Sequence, residues 1–288
     1  MIFNRVELAR TALDKAVQVR DEAGFNDRVP ICVYDLCRKH SLDVRFVDVN
    51  MEGMYVRKEP PEILLSSLRP LARRAFTCAH ELGHHVFGHG STIDELKDEA
   101  EKGGVNPEEF LVDSFAGHLL MPKIAVRKAF ALRSWQETSA SPEQIYAIAC
   151  SLGVGYETLC THMTFGLRLL STERADGLRK TSLPKIRQSL LNEVTKEHLI
   201  VIDRFHQLPT ADSEVGNLVL LPTGVKADSA SLQFVRSLTV GDLFRAVTPG
   251  IVRVHDPNAE WAILVRISRF QYVGLSEFRH LEEEDDDA

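Results

Sequence analysis

The apolar residues Val6, Ala9, Leu13, Ala16 and Val17 recur at three- and four-residue spacing, which predicts an amphipathic helix ending near Gly24. A second short helix is predicted over 31–39. From Leu42 the spacing changes to alternation, with Leu42, Val44 and Phe46 on one side, and 54–56 follows after Gly53, so paired strands and a turn are expected. A further strand is expected at 63–68, before Pro70. Ala75, Ala79, Leu82 and Val86 then mark one face of a helix that stops near Gly88 to Gly90. Asn106 and Pro107 supply an N-cap and a first-turn proline for a helix through Leu120, closed by Pro122, and another helix is expected over 124–132.

Ser141-Pro142-Glu143 opens the next helix, and Gly153 and Gly155 separate it from one beginning near Tyr156, a helix-turn-helix-like pair. Beyond Lys196 the texture turns β-rich: 198–202, 217–221, 251–254, 261–267 and 271–273 read as strands broken by Pro, Gly and Asp-Pro turns. The pattern predicts an α+β chain in four parts. Residues 1–135 form a first domain, 136–194 a helical helix-turn-helix-like segment and linker, 195–281 a separate α/β C-terminal domain with a sensor role, and 282–288 an acidic tail.

Composition narrows the class. Of the 288 residues 44% are hydrophobic and 26% charged, and no apolar run approaches the roughly 20 residues that cross a bilayer, so a soluble chain with no membrane partner is expected. Arg5, Glu7, Arg10, Asp14 and Lys15 interrupt the N-terminus where a secretory signal needs a continuous apolar stretch, so the expected localisation is cytoplasmic. Five cysteines without a CxxC pair imply reduced, mostly buried thiols. The net charge of −7 owes six charges to 282–287, an expected disordered run, which leaves −1 for the rest. Arg168, Arg174, Arg179, Lys180, Lys185 and Arg187 outnumber Glu173 and Asp176 in the stretch after Gly166, which reads as a solvated helix face.

The chemistry sits on the helix that ends near Gly88. His80-Glu81-Leu82-Gly83-His84 is an HExxH sequence: residues four apart share a helix face, so both imidazoles reach one metal ion, and zinc suits such nitrogen ligands. Glu81, next to the first ligand, is placed to act as general base. The longer metzincin pattern fails, because Phe87 and Gly90 stand where glycine and a third histidine would be needed; His85 and His89 read as bystanders. The third ligand is expected from the helix starting at Pro107, where Glu109 and Asp113 lie four apart on one face. Glu109 is assigned to the metal and Asp113 to orienting a liganding histidine, with the reverse assignment open. His118 reads as an exposed helix histidine.

Two segments, AHELGHHVFGHG at 79–90 and FAGHLLMP at 115–122, resemble the ImmA/IrrE family of bacterial metallopeptidases. The family's second segment places a Glu at Glu109, while Val112-Asp113 stands where Ala-Asn is common, which adds a second carboxylate. The resemblance covers roughly residues 30 to 135. It implies a zincin-like zinc metallopeptidase domain that cuts a helix-turn-helix repressor and so releases stress or phage-defence genes. The layout is also similar to the peptidase partner in phage-defence operons, which implies DNA damage or single-stranded DNA as the trigger.

Two other classes stay open at this point. The helix pair at 141–165 could read DNA, making the chain a transcription regulator with a vestigial metal site, but 156–166 has no Lys or Arg for phosphate contacts. Alternatively the C-terminal part is a signal-binding module for a small-molecule effector or single-stranded DNA, with Phe234, Phe244, Trp261, Phe270 and Tyr272 as candidate contacts and core packing as their plainer role.

Overall fold

The computed structural model describes residues 4–91 and 106–281; the acidic stretch 282–288 lies outside them. The first helix, α1 (Arg5–Glu22), is capped by the Asn4 side chain and buries Ala12, Ala16 and Val19. Helix α2 (Val33–Lys39) and strands β1 (Asp43–Val47), β2 (Gly53–Val56) and β3 (Glu62–Ser66) follow. Strand β1 runs parallel to β3, and β2 pairs antiparallel on the other side of β3. Helix α3 (Leu71–Val86) then packs on β2 and β3 and on α4 (Pro107–Leu120). Helix α4 begins where the sequence predicts, with the Asn106 side chain accepting from Glu108 N–H at 3.0 Å and Pro107 in the first turn.

The other end of α4 is held from α1. Arg20, buried in the core, donates to the carbonyls of Leu119 at 2.6 Å, Asn26 at 2.6 Å and Val29 at 2.5 Å. A guanidinium at a helix C-terminus satisfies a carbonyl that has no partner within the helix. Both ends of α4 are thereby fixed, and with them the position of its acidic face.

Helices α5 (Lys123–Leu132), α6 (Pro142–Leu152), α7 (Tyr156–Thr161), α8 (Thr172–Arg179) and α9 (Leu183–Leu191) form the middle of the chain, with a π-helical turn at His162–Gly166 after α7. Helix α6 starts with a capping box between Ser141 and Gln144 and stops at Gly153, which is left-handed at φ 68°. Ile145, Ile148, Leu152 and Leu159 share one apolar core with Leu82, Phe115 and Leu119 of the first segment.

The remaining strands build two further four-stranded sheets. One is ordered β5-β11-β10-β7, from β5 (Thr210–Glu214), β7 (Lys226–Ala227), β10 (Gly250–His255) and β11 (Ala262–Ser268). The other is ordered β4-β6-β9-β8, from β4 (Leu199–Val201), β6 (Leu218–Leu221), β8 (Leu232–Leu238) and β9 (Gly241–Ala246). The period of two shows in β6: Val219 and Leu221 face a core shared with Val252, Val254, Ile263 and Val265, while Leu218 and Leu220 face a second cluster with Ala147 and Leu191.

This corrects the expected α/β C-terminal domain. Between Leu199 and Leu275 the regular elements among the described residues are strands, followed by a 3-10 turn at Ser276–Phe278; the helices that cover β6 are α6 and α9, lent by the middle segment. Nor does this part stand apart from the N-terminal sheet. The last strand, β12 (Gly274–Leu275), pairs with β1. The predicted strand at 271–273 is a turn instead: Gln271 adopts φ 51° and gives its N–H to the Glu214 carboxylate at 3.1 Å. Phe244 and Tyr272 are buried, Trp261 is half-buried, and Phe234 and Phe270 are exposed.

Ion pairs stitch the C-terminal strands to the first segment. Asp212 of β5 accepts from Arg266 Nε at 2.7 Å and from Arg279 Nη2 at 3.1 Å, and Arg266 also reaches Asp35 of α2 at 3.1 Å. Burial would raise the Asp212 carboxyl, but the two guanidiniums outweigh it and hold the group below its ordinary 3.8. A carboxyl whose folded value is depressed contributes its full stability above about pH 4 and loses it as pH falls through the folded value. Asp212→Asn should therefore flatten the fall in stability between pH 5 and pH 3, read from urea midpoints; an unchanged slope would remove Asp212 from the acid-sensitive groups.

Candidate metal centre

The HExxH residues lie on the buried face of α3: His80 is 5%, Glu81 0% and His84 1% exposed. Two glycines make that burial sterically feasible. A Cβ on Gly83 would stand 3.0 Å from Val112 Cβ and 3.1 Å from Phe115 Cδ1, so the small residue lets α4 approach α3. A Cβ on Gly53 would stand 2.5 Å from Thr77 Cγ2 and 3.2 Å from Glu81 Oε1, so β2 also closes over the glutamate only because it carries no side chain there.

The two histidine rings point their Nε2 atoms at each other, 3.2 Å apart. Asp113 Oδ1 lies 2.8 Å from His80 Nδ1, so that nitrogen donates. His84 Nδ1 lies 2.9 Å from His89 Nδ1, where one proton is shared between two rings. Burial first, and His80 second, pull His84 down to about 4, so its ring is neutral at pH 7. With His80 protonated on Nδ1 toward Asp113, and His84 on Nδ1 toward His89, both Nε2 atoms would be free to hold a cation between them.

Glu109 completes the cluster: its carboxylate oxygens lie 3.4 Å from His80 Nε2 and 3.8 Å from His84 Nε2. Two nitrogens each about 2.0–2.1 Å from a tetrahedral ion stand about 3.3 Å apart, so this donor set has the size and chemistry of a metal site. Among the described residues His80, His84 and Glu109 form the group able to hold a metal, and Asp113 stands behind His80. Glu109 lies in the first turn of α4, where the helix dipole favours a carboxylate, and the four-residue step to Asp113 keeps both on one face.

His89 is not the bystander the sequence implies. Helix α3 ends in a Schellman turn: Gly88 at φ 72° gives its N–H to His85 O at 3.1 Å, and His89 gives its N–H to His84 O at 3.0 Å. That turn folds the chain back and brings the His89 ring onto His84. The readable signal was a glycine just past the helix followed by a histidine. His85 pairs with Tyr55 Oη at 2.9 Å. His118, expected on the surface, is buried with its ring edge-on to His162 at 4.9 Å between centroids, because α4 is covered by the π-helical turn at that height.

A cleft of about 1250 Å³ lies beside the cluster, lined by His80, Glu109 and Asp113 together with residues of α6, α9 and the C-terminal strands. Paired histidines one helical turn apart, an acidic third donor and a glutamate beside the first histidine define a metallopeptidase type of centre. The family model described as IrrE N-terminal-like domain, Peptidase_M78, matches residues 37–164, a span that contains every residue of the cluster. That segment is thus a domain of the ImmA/IrrE metallopeptidase family. No curated protein matches the chain. No helix among the described residues is long and apolar enough to cross a membrane.

Proposed function

We propose that the chain is a zinc-dependent endopeptidase with a zincin-like catalytic domain, whose substrate is a helix-turn-helix repressor. The observation that carries this reading is the convergence of two histidine nitrogens and one carboxylate within 4.8 Å of one another beside a cleft. His80, His84 and Glu109 would hold the ion. Zinc, when bound, supplies Lewis-acid polarisation of the scissile carbonyl and lowers the pKa of water.

The chain's own residues supply the rest. Glu81 accepts the proton of the attacking water and delivers it to the leaving amine. Asp113 holds His80 in the Nδ1–H tautomer, and His89, with its Nδ1 as acceptor, does the same for His84, which leaves both Nε2 atoms for the metal. The cleft of about 1250 Å³ beside the cluster is where a segment of the substrate would bind. Cleavage within the cytoplasm would inactivate the repressor and release the stress or phage-defence genes it holds off, with single-stranded DNA as the candidate trigger.

The competing reading, a DNA-binding regulator, is poorly supported by the helix pair itself. Helix α7 is six residues long, carries no Lys or Arg, and buries Tyr156, Leu159 and Cys160. The first test is zinc content of the purified full chain together with cleavage of a helix-turn-helix repressor. We expect one equivalent of zinc, lost in Glu109→Ala and held about 10–100-fold more weakly in Asp113→Ala. The opposite ranking of the two variants would move Asp113 onto the metal. A chain that takes up no zinc and leaves the repressor intact, with or without single-stranded DNA, would overturn the peptidase reading.

A further inference from the structure

Among the described residues five arginines are buried, and four have partners. Arg20 caps three carbonyls, Arg74 pairs with Glu214, Arg133 with Asp203 and Arg279 with Asp212. Arg187 of α9 is the exception: it is 9% exposed, and among the described residues its guanidinium makes no hydrogen bond or ion pair. Its Nε is buried without a partner, so an oxyanion that reaches the guanidinium would satisfy a donor that the chain leaves unpaired. Arg187 lines the cleft, which gives such a partner access.

Its surroundings are those of a binding corner. Leu191, one turn after Arg187, shares an apolar cluster with Leu199 and Leu218, the residues that follow His198 and Asn217 in β4 and β6. These two lie side by side where the parallel strands β4 and β6 begin, with Leu218 N–H donating to His198 O at 2.8 Å. Both line the cleft. Asn217 is 6% exposed, and its side-chain amide has no hydrogen-bond partner among the described residues. Burial first, then the nearby Arg187 charge, keep His198 neutral at pH 7, so its ring can donate one N–H. Glu214, the acid of this corner, is engaged by Arg74 Nη2 at 2.7 Å and by Gln271 N–H at 3.1 Å.

We infer that Arg187, Asn217 and His198 form an anion subsite that takes the carboxylate or phosphate group of a small-molecule ligand. The planar guanidinium fits either oxyanion in a bidentate pair, and the Asn217 amide adds a donor. The subsite lines the same cleft as the metal cluster, shares no residue with it and does not rest on the peptidase reading.

The test is thermal unfolding of the full chain at constant ionic strength, with chloride exchanged for inorganic phosphate in one series and for succinate in another. In wild type a saturable rise in midpoint with one of them is expected, and the anion that produces it identifies the group. Arg187→Gln should unfold at a higher temperature than wild type without added oxyanion, since it removes an unpaired buried charge, and should lose the saturable rise. Asn217→Asp, which sets a carboxylate beside the guanidinium, should lose the rise while keeping at least the wild-type midpoint. An equal rise in wild type and Arg187→Gln would mean a general salt effect and would overturn the subsite. So would a response to a single-stranded oligonucleotide alone, which would assign Arg187 to nucleic acid.

Discussion

Glu81→Gln should leave fold and zinc content intact and lower the rate of repressor cleavage by about 10²–10⁴-fold, the usual contribution of a positioned general base. Glutamine has nearly the same shape, so the space under Gly53 and against Thr77 stays filled. What it lacks is the ability to take a proton from water. The glutamate is fully buried one residue after His80, on the helix that would carry the metal, and is therefore held in place without needing the substrate to order it. Rates with a repressor substrate, zinc by atomic emission and far-ultraviolet circular dichroism would be measured on the same preparation. Wild-type cleavage by the variant would remove Glu81 from the chemistry; loss of zinc together with cleavage would recast it as a structural residue.

The second large effect concerns the junction between α3 and the C-terminal strands. Arg74, two turns before the HExxH sequence, pairs with Glu214 of β5 at 2.7 Å, with side-chain exposures of 2% and 7%, and lies over the Phe46 ring. Arg74→Met keeps much of the volume and strands a buried carboxylate, which should cost about 3–5 kcal/mol. Adding Glu214→Gln should restore most of that loss, since the uncompensated charge then disappears. Urea denaturation of the full chain would measure both. A single variant as stable as wild type would show that the pair contributes little to holding the two parts together. Because the pair anchors the helix of His80 and His84 to the strands that line the cleft, zinc affinity of Arg74→Met is a useful second reading.

Much of the centre was legible before any coordinates. HExxH spacing needs only the 3.6-residue turn of α3, and the Glu109 to Asp113 step needs only that of α4, whose start was announced by Asn106 and Pro107. The order of the carboxylates could not be read the same way: a helix puts both on one face, and packing alone determines that Glu109 meets the two Nε2 atoms while Asp113 stands behind His80. His89 was missed because its role depends on the left-handed turn at Gly88, a backbone reversal that no periodic pattern encodes.

The C-terminal part was misjudged for a related reason. Its strands β5, β8 and β9 carry polar positions that blur the alternation, and the apolar run at β6 is equally consistent with a strand buried on both faces or with part of an α/β layer. Local periodicity and capping chemistry determine which residues share a face, since those depend on neighbours a few positions away. Which faces then meet depends on long-range packing: Gly53 over Glu81, Arg74 against Glu214, and Arg187 left without a partner at the cleft. A pair joined across 140 positions has no signature in either segment alone, because the attraction that offsets the desolvation of both charges exists only once the assembled fold brings them together.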